Sequence, residues 1–259
     1  MAAKAGRHMR VLITGGGSDI GRSIARRRLA LGDEVFVTAS SEASLEKLRA
    51  RYRDDGLKAQ GLVLDLTAPG RSDAALEGLL AQGLQGLVLN AWTRRPPLHR
   101  FHELPQAALE EDVTANLMGN VWLLRRLLPS MVEARWGRIV FISSISTVSG
   151  TGRYGAYILC KSALEGLMRN LAVDYGAFNV LSNTVRLGLF KTTRTKKYWS
   201  RPLYVERMGG VIPQGELGEP AHVGEALDSL LSAHQYINGA VLDVTGGLPM
   251  FRLEGVLKP

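Results

Sequence analysis

Cysteine is all but absent from this chain. Cys160 is the single thiol among 259 residues, so no intrachain disulfide can form, and no group of Cys and His has metal-site spacing. A reducing compartment and no metal are expected. Proline is sparse at 10 residues, and no Ser- or Pro-rich linker divides the chain. Length permits one or two domains at a prior of about 150 residues each, and the missing linker favours one domain over residues 1–259. No apolar run approaches the ~20 residues a membrane span needs. The first nine residues carry Lys4 and Arg7 with no apolar stretch behind them, and read as a flexible tail. The expectation is a soluble, cytoplasmic chain with no membrane partner. At 46% hydrophobic and 22% charged residues, disordered, collagen-like and coiled-coil classes are excluded.

Acid is in deficit, 24 Asp and Glu against 32 Lys and Arg, for a net charge of +8. The surplus is local. Residues 1–28 and 186–207 each hold seven basic residues and one acid, so each nets +6 and the rest of the chain nets −4. Confined basicity points to anion sites more than to a polyanion surface, and no basic sheet motif with interleaved aromatics is present. No nucleic-acid partner is expected.

What is present is alternation. Short β-branched or Leu-rich runs occur at Val11–Ile13, Val35–Val37, Leu62–Leu64, Leu87–Leu89, Ile139–Ile142, Val180–Val185 and Ala240–Val244. Continuous apolar runs suit strands buried on both faces. Helical patterns lie between them at Gly21–Leu31, Ser44–Arg53, Ala74–Ala81, Gln106–Ala134, Tyr157–Tyr175 and Ala221–Ala233. Strand alternating with helix predicts right-handed βαβ units, hence an α/β fold with a doubly wound parallel sheet of about seven strands in three layers. The segment Gly188–Gly218 is irregular and reads as a loop or lid.

Two stretches carry chemistry. Thr14-Gly15-Gly16-Gly17-Ser18-Asp19-Ile20-Gly21 follows the first strand and opens the first helix. Glycines let backbone approach a pyrophosphate, while the helix N–H groups and dipole favour its charge. Such a turn can also be only a tight connection. Tyr157 and Lys161 stand four apart on a helix, with Ser143-Ser144 ending a strand upstream. Side chains at that spacing are neighbours, so an ammonium can stabilise the phenolate and lower the phenol's pKa. Ser144 can donate to the same substrate oxygen. Alone, the pair also reads as solvated neighbours.

Thr14–Gly21, Asn90-Ala91, Asn116, Ser144, Tyr157, Lys161 and the run Asn183, Val185, Gly188, Thr192 occur in this order. Jointly they resemble the short-chain dehydrogenase/reductases over about residues 10–248, closest in pattern to members that resemble 3-oxoacyl-(acyl-carrier-protein) reductases. The resemblance implies a Rossmann-type dinucleotide-binding domain. It also implies hydride transfer between NADP(H) and a carbonyl or hydroxyl carbon. Asn116, Ser144, Tyr157 and Lys161 would form the catalytic tetrad, with Tyr157 as general acid, Ser144 polarising the carbonyl and Asn116 holding a proton-refilling water. The cofactor set would comprise Gly15, Gly17, Ser18, Asp19, Ile20, Gly21, Ser40, Ser41, Asp65, Leu66, Asn90, Ala91, Tyr157, Lys161, Gly188 and Thr192. The second strand ends Thr38-Ala39-Ser40-Ser41 without the acid that selects NAD. Ser40 and Ser41, with Arg22 and Lys47 nearby, therefore favour NADPH over NADH, although the serines can equally be an ordinary turn.

Four positions depart from the family pattern. Asp19 and Trp92 stand where glycine is usual, a single Asn precedes Ala91, and Leu187 replaces a proline. Asp19 reads as a partner of the helix dipole. Trp92 is either a core aromatic or a wall facing the substrate. Leu187 removes a rigid turn and is expected to loosen the following loop. His8, His99, His102, His222 and His234 share no motif. An apolar stripe at Val121, Leu123, Leu124, Leu127 and Leu128 lies on the Asn116 helix; it can be core, but in the family the equivalent helix packs between subunits, so a homo-oligomer (dimer or tetramer) is expected.

The leading function is reduction of a β-keto acyl thioester or related ketone. The alternatives are a small uncharged ketone or polycyclic alcohol as substrate, a non-catalytic or regulatory NAD(P)-binding protein, and a nucleic-acid binder with strongly salt-dependent affinity. The basic loop with Lys191, Arg194, Lys196, Lys197 and Arg201 among Tyr198, Trp199 and Tyr204 suggests a phosphate-bearing or acidic acyl carrier. It can also be a solvated surface.

Overall fold

A computed structural model of the chain describes residues 8–68, 72–93, 98–232 and 236–250. Residues 1–7 of the expected tail and His234 lie outside the described residues. Seven parallel strands form one sheet: β1 (Arg10–Ile13), β2 (Glu34–Ala39), β3 (Gln60–Val63), β4 (Gly86–Leu89), β5 (Gly137–Ser144), β6 (Val180–Leu187) and β7 (Val241–Val244). Their spatial order is β3-β2-β1-β4-β5-β6-β7. The apolar runs are continuous because alternate residues serve two cores. Val11 and Ile13 of β1 face one cluster and Leu12 the other; in β5, Val140 and Ile142 oppose Ile139 and Phe141.

Helices α1 (Asp19–Ala30), α2 (Glu42–Asp54) and α10 (Pro220–Ala226) cover the first face, with Ile24, Leu45, Leu48 and Val223 buried there. The second face is covered by α3 (Asp73–Ala81), α5 (Gly119–Glu133) and α7 (Gly155–Tyr175), through Leu76, Leu123, Leu127 and Met168. Truncating one such residue, Leu127→Ala, costs about 2–5 kcal/mol. The chain runs outward from β1 to β3 and returns to place β4 on the other side of β1. That reversal opens a crevice at the carboxyl ends of β1 and β4, the usual ligand site of such sheets.

Three expectations are corrected. The single helix expected over Gln106–Ala134 is three pieces: α4 (Gln106–Val113), a wide π turn at Thr114–Met118, and α5. The amide of Asn120 donates to the Asn116 carbonyl at 2.6 Å, and such side-chain insertion into the helix ladder widens the turn. The helix expected over Ala221–Ala233 ends at Ala226. Gly188–Gly218 is not irregular throughout: after a 3₁₀ turn at Thr193–Thr195 it holds α8 (Lys196–Trp199) and α9 (Pro202–Val211). Leu123, Leu124, Leu127 and Leu128 are buried against this chain's own sheet, the core alternative for that stripe. Among the described residues, no helix is long and apolar enough to cross a membrane.

Candidate active site

The crevice opens into a cavity of about 830 Å³, within the size range of small-molecule sites. Its floor is the glycine turn, whose carbonyls are tied back into the protein. Gly15 O accepts from Ser18 Oγ at 2.9 Å and from Asn90 Nδ2 at 3.2 Å, Gly16 O from Tyr52 OH at 3.0 Å, and Gly17 O from Arg51 Nη1 at 3.0 Å. With the carbonyls engaged, the turn offers N–H donors to an anion. Gly15 adopts φ +68°, and a Cβ there would strike the backbone of Ala91, so glycine is required. Ser18 caps α1 by accepting from Gly21 N at 3.0 Å. Thr14 Oγ1 accepts from the backbone N–H groups of Asn90 and Ala91, both at 3.0 Å, and fixes the end of β4 beside the turn.

The cavity is lined by every expected cofactor residue except Gly21 and Ser41. Gly21 instead permits α1 to pack on the Gly15 carbonyl, which a Cβ would strike. Ser41 caps α2, accepting from Ser44 N at 3.3 Å. Ser40, Ser44 and Arg51 line the end beside β2, whereas Lys47 is exposed on α2 outside the lining and Arg22 is paired with Asp55 at 2.9 Å. Sequence reasoning missed Arg51, the basic residue that lines this end of the cavity. No carboxylate stands at the end of β2. Together with the glycine cradle, these donors fit a dinucleotide carrying a 2′-phosphate.

At the opposite end, β5 delivers Ser144, and α7 delivers Tyr157 and Lys161 one turn apart. Ser144 and Tyr157 line the cavity together, and the Ser144 hydroxyl favours the Tyr157 phenolate. Lys161 is buried and donates to the Ile142 carbonyl at 2.7 Å, with its Nζ 6.0 Å from the Tyr157 ring centroid. The lowering of the phenol's pKa by Lys161 expected from spacing is not found. Burial pushes Tyr157 above its ordinary value, while the Ser144 hydrogen bond and the Arg194 charge pull it down. Burial lowers Lys161 to about 8.

Asn116 does not reach the cavity. Its Oδ1 accepts from the N–H of Thr93 at 2.9 Å and its hydroxyl at 3.2 Å, anchoring the loop that carries Trp92. Trp92 resolves as a wall: it lines the cavity, its ring lies 4.6 Å edge-on from that of Tyr157, and Lys161 Nζ sits 5.0 Å from its centroid. Leu187 does not loosen the chain. Unlike proline it keeps its N–H, and β6 runs to its end in register with Ser144 and Val244. The lid then closes over the cavity. Thr193 N donates to Asp19 Oδ2 at 2.5 Å, and Arg194 Nη2 to the Trp92 carbonyl at 3.5 Å.

Comparison with known proteins agrees with this geometry. A 3-oxoacyl-(acyl-carrier-protein) reductase of Aquifex aeolicus is 32% identical over 246 residues, 92% of this chain and 96% of that protein. A chloroplastic tropinone reductase homolog of Arabidopsis thaliana is 31% identical, over 93% of this chain and 75% of its own length. Among solved structures, an Agrobacterium tumefaciens 3-oxoacyl-(acyl-carrier-protein) reductase with NADP bound superposes with TM-score 0.83 at 28% identity, covering 93% of this chain and 94% of that one. An actinorhodin polyketide ketoreductase with NADPH gives TM-score 0.85 at 26% identity, covering 94% and 98%. Residues 9–202 match the short chain dehydrogenase family model. The chain therefore belongs to the short-chain dehydrogenase/reductase family of oxidoreductases.

Proposed function

We propose that the protein is an NADPH-dependent ketoreductase whose substrate is a β-keto acyl group on an anionic thioester carrier. The observation that carries the reductase reading is the meeting of Ser144, Tyr157 and Lys161 in one cavity with the glycine turn. NADPH, when bound, supplies the hydride. The chain supplies the proton and the oriented oxygen site. Tyr157, kept protonated by burial, donates to the substrate oxygen, and Ser144 donates a second hydrogen bond that holds that oxygen in place. Lys161, one helical turn beyond the phenol in the same cavity, holds the nicotinamide ribose of the bound cofactor. Positioned acid catalysis of this kind contributes ~10²–10⁴-fold. Asn116 acts at one remove, by holding Thr93 and with it the Trp92 wall. The choice of NADPH is supported by Ser40, Ser44 and Arg51 at the end of β2 and by the NADP-bound relatives.

The carrier reading rests on the lid. Arg186 is neutralised by Glu165 and Lys191 by Glu219, both at 2.7 Å, so these two basic residues are spent internally. Lys196, Lys197 and Arg201 remain exposed on and after α8, beside the stacked rings of Tyr198 and Tyr204. Surface cations there attract a phosphopantetheine-bearing partner while the aromatics cover its acyl chain.

Two measurements test this. Tyr157→Phe should reduce NADPH oxidation by ~10²-fold or more while NADPH binding persists; wild-type turnover would remove the acid role. Steady-state kinetics on one β-keto group, presented as carrier-protein, coenzyme A and uncharged thioesters, should favour the anionic forms at low salt only. Equal kcat/KM for all three at every salt concentration overturns the carrier assignment and points to a small uncharged ketone.

A further inference from the structure

Beneath Ser144 lies a buried ion pair that none of the roles above uses. Glu165 is 3% exposed and stands on α7 four residues after Lys161 and eight after Tyr157, on the same helical face. Its Oε1 accepts from Ser143 Oγ at 2.6 Å, from Thr147 Oγ1 at 3.0 Å and from Arg186 Nε at 3.0 Å; its Oε2 accepts from Arg186 Nη2 at 2.7 Å. Thr147 Oγ1 also lies 2.9 Å from the carbonyl of Ser144. Ser143 and Arg186 are register partners across β5 and β6, and Arg186 Nη1 faces Asp243 of β7 at 3.7 Å. One carboxylate therefore joins the helix that carries Tyr157 to the residues on both sides of Ser144, and to two further strands.

Burying a charge is costly unless it is paired and fully hydrogen-bonded, and a bidentate guanidinium fixes direction as well as charge. For mere stability an apolar cluster of equal volume would serve as well. What the ion pair adds is a set position of β5's last residues relative to α7. We propose that the Glu165–Arg186 pair, acting through Ser143 and Thr147, is a positioning device that holds the Ser144 hydroxyl on the Tyr157 phenol. The proposal rests on the reading of Ser144 and Tyr157 as the proton-donating couple. Loosening the pair weakens the serine bond that favours the phenolate, so Tyr157 should titrate at higher pH. The groups facing the phenol are Ser144, Trp92, Tyr154, Lys161 and, from the lid, Arg194; those facing Glu165 are Ser143, Thr147, Arg186 and Lys161, and Asp243 faces Arg186.

The test uses the full chain and two variants. Glu165→Gln/Arg186→Met removes both charges at once and leaves neither buried unpaired. Thr147→Val deletes only the hydroxyl that links Glu165 to the Ser144 carbonyl, and keeps the fold if the double variant does not. Each is read by Tm, by NADPH dissociation constant, by kcat and KM, and by ultraviolet difference titration of the phenol against Tyr157→Phe. The expectation for Thr147→Val is a kcat lowered about three- to tenfold, the value of one hydrogen bond. NADPH affinity should stay within about twofold of wild type, and the Tyr157 titration should move to higher pH. The double variant, where folded, should show a larger loss in the same directions. Unchanged kcat and an unmoved titration in Thr147→Val overturn the proposal. A loss of NADPH affinity in proportion to kcat does so too, because it signals general disorder of the cavity. If Tyr157→Phe itself keeps full turnover, the reading of the site fails instead, and the two failures are thereby told apart.

Discussion

The carboxylate of Asp19, the first residue of α1, accepts a hydrogen bond from the backbone N–H of Thr193 at 2.5 Å and so ties the glycine turn to the lid. Arg22 and Arg51 face the same carboxylate at 3.5 and 3.6 Å. The acid occupies a helix start, where negative charge is favoured, and that is also where a pyrophosphate is drawn. It thus competes with the ligand for the same field.

Asp19→Asn removes the charge and keeps the shape. NADPH should bind about two- to fivefold more tightly, the range of a single helix-terminus charge, and the gain should shrink in high salt. Fluorescence titration of NADPH at two ionic strengths measures it. Weaker binding would show that Asp19 is a ligand contact.

Arg51 is the cation of the β2 end of the cavity. A charged hydrogen bond to a 2′-phosphate is worth roughly tenfold or more in affinity, so Arg51→Ala should weaken NADPH binding by at least that factor. NADH affinity should hardly change, which controls for loss of the Arg51 bond to the Gly17 carbonyl. Equal losses for both cofactors would remove Arg51 from cofactor selection.

Trp92→Ala should widen the space over Tyr157 and Lys161, because the indole packs on both. The ratio of kcat/KM for a polycyclic ketone to that for a short β-keto thioester should rise at least about tenfold, as for pocket groups of this bulk. An unchanged ratio would place substrates away from this wall.

Lys161 contributes to the alkaline pH dependence of stability. Its ordinary value of 10.5 in the unfolded chain falls to about 8 on folding, chiefly through burial. The charged form is therefore disfavoured in the folded state. The penalty, on the order of 3 kcal/mol, is fully present below about pH 8 and disappears as pH rises from about 8 to 10.5. Lys161→Met should accordingly gain Tm relative to wild type at pH 7 and lose that relative gain by pH 10.5. Calorimetry of both proteins across this range checks the sign, and a Tm difference independent of pH would contradict it.

How far the sequence was readable follows from the reach of each signal. The strands were legible because runs such as Val35–Val37 and Ile139–Ile142 are apolar on both sides of the pleat, a pattern set by local chain alone. The Ser144, Tyr157 and Lys161 group was legible because a strand end and one helical turn bring it together. The break at Asn116 was not, because it depends on the Asn120 bond to a carbonyl one turn back and on Gly119 packing against the Leu66 carbonyl. Arg51 was passed over for Lys47 because both lie on one face of α2, and only the height of that helix above the turn decides which reaches Gly17. The leucine stripe at 123–128 shows the limit of periodicity: it marks a buried face without saying whether the cover is this chain's sheet or another subunit.

The lid begins and ends at one place. Phe190 bridges Gly218, with Lys191 N donating to Gly218 O and Gly218 N to Leu189 O, both at 2.9 Å, and a Cβ on residue 218 would meet the Phe190 ring. A loop whose two ends meet at one stem can change length at little entropic cost, about 0.6 kcal/mol per doubling. Changes of length within residues 191–217 are therefore cheap wherever they keep the Thr193–Asp19 and Gln214–Gly246 contacts. Such changes leave the pairing of β5, β6 and β7 untouched, so the lid can vary in length while the sheet that carries Ser144 keeps its register.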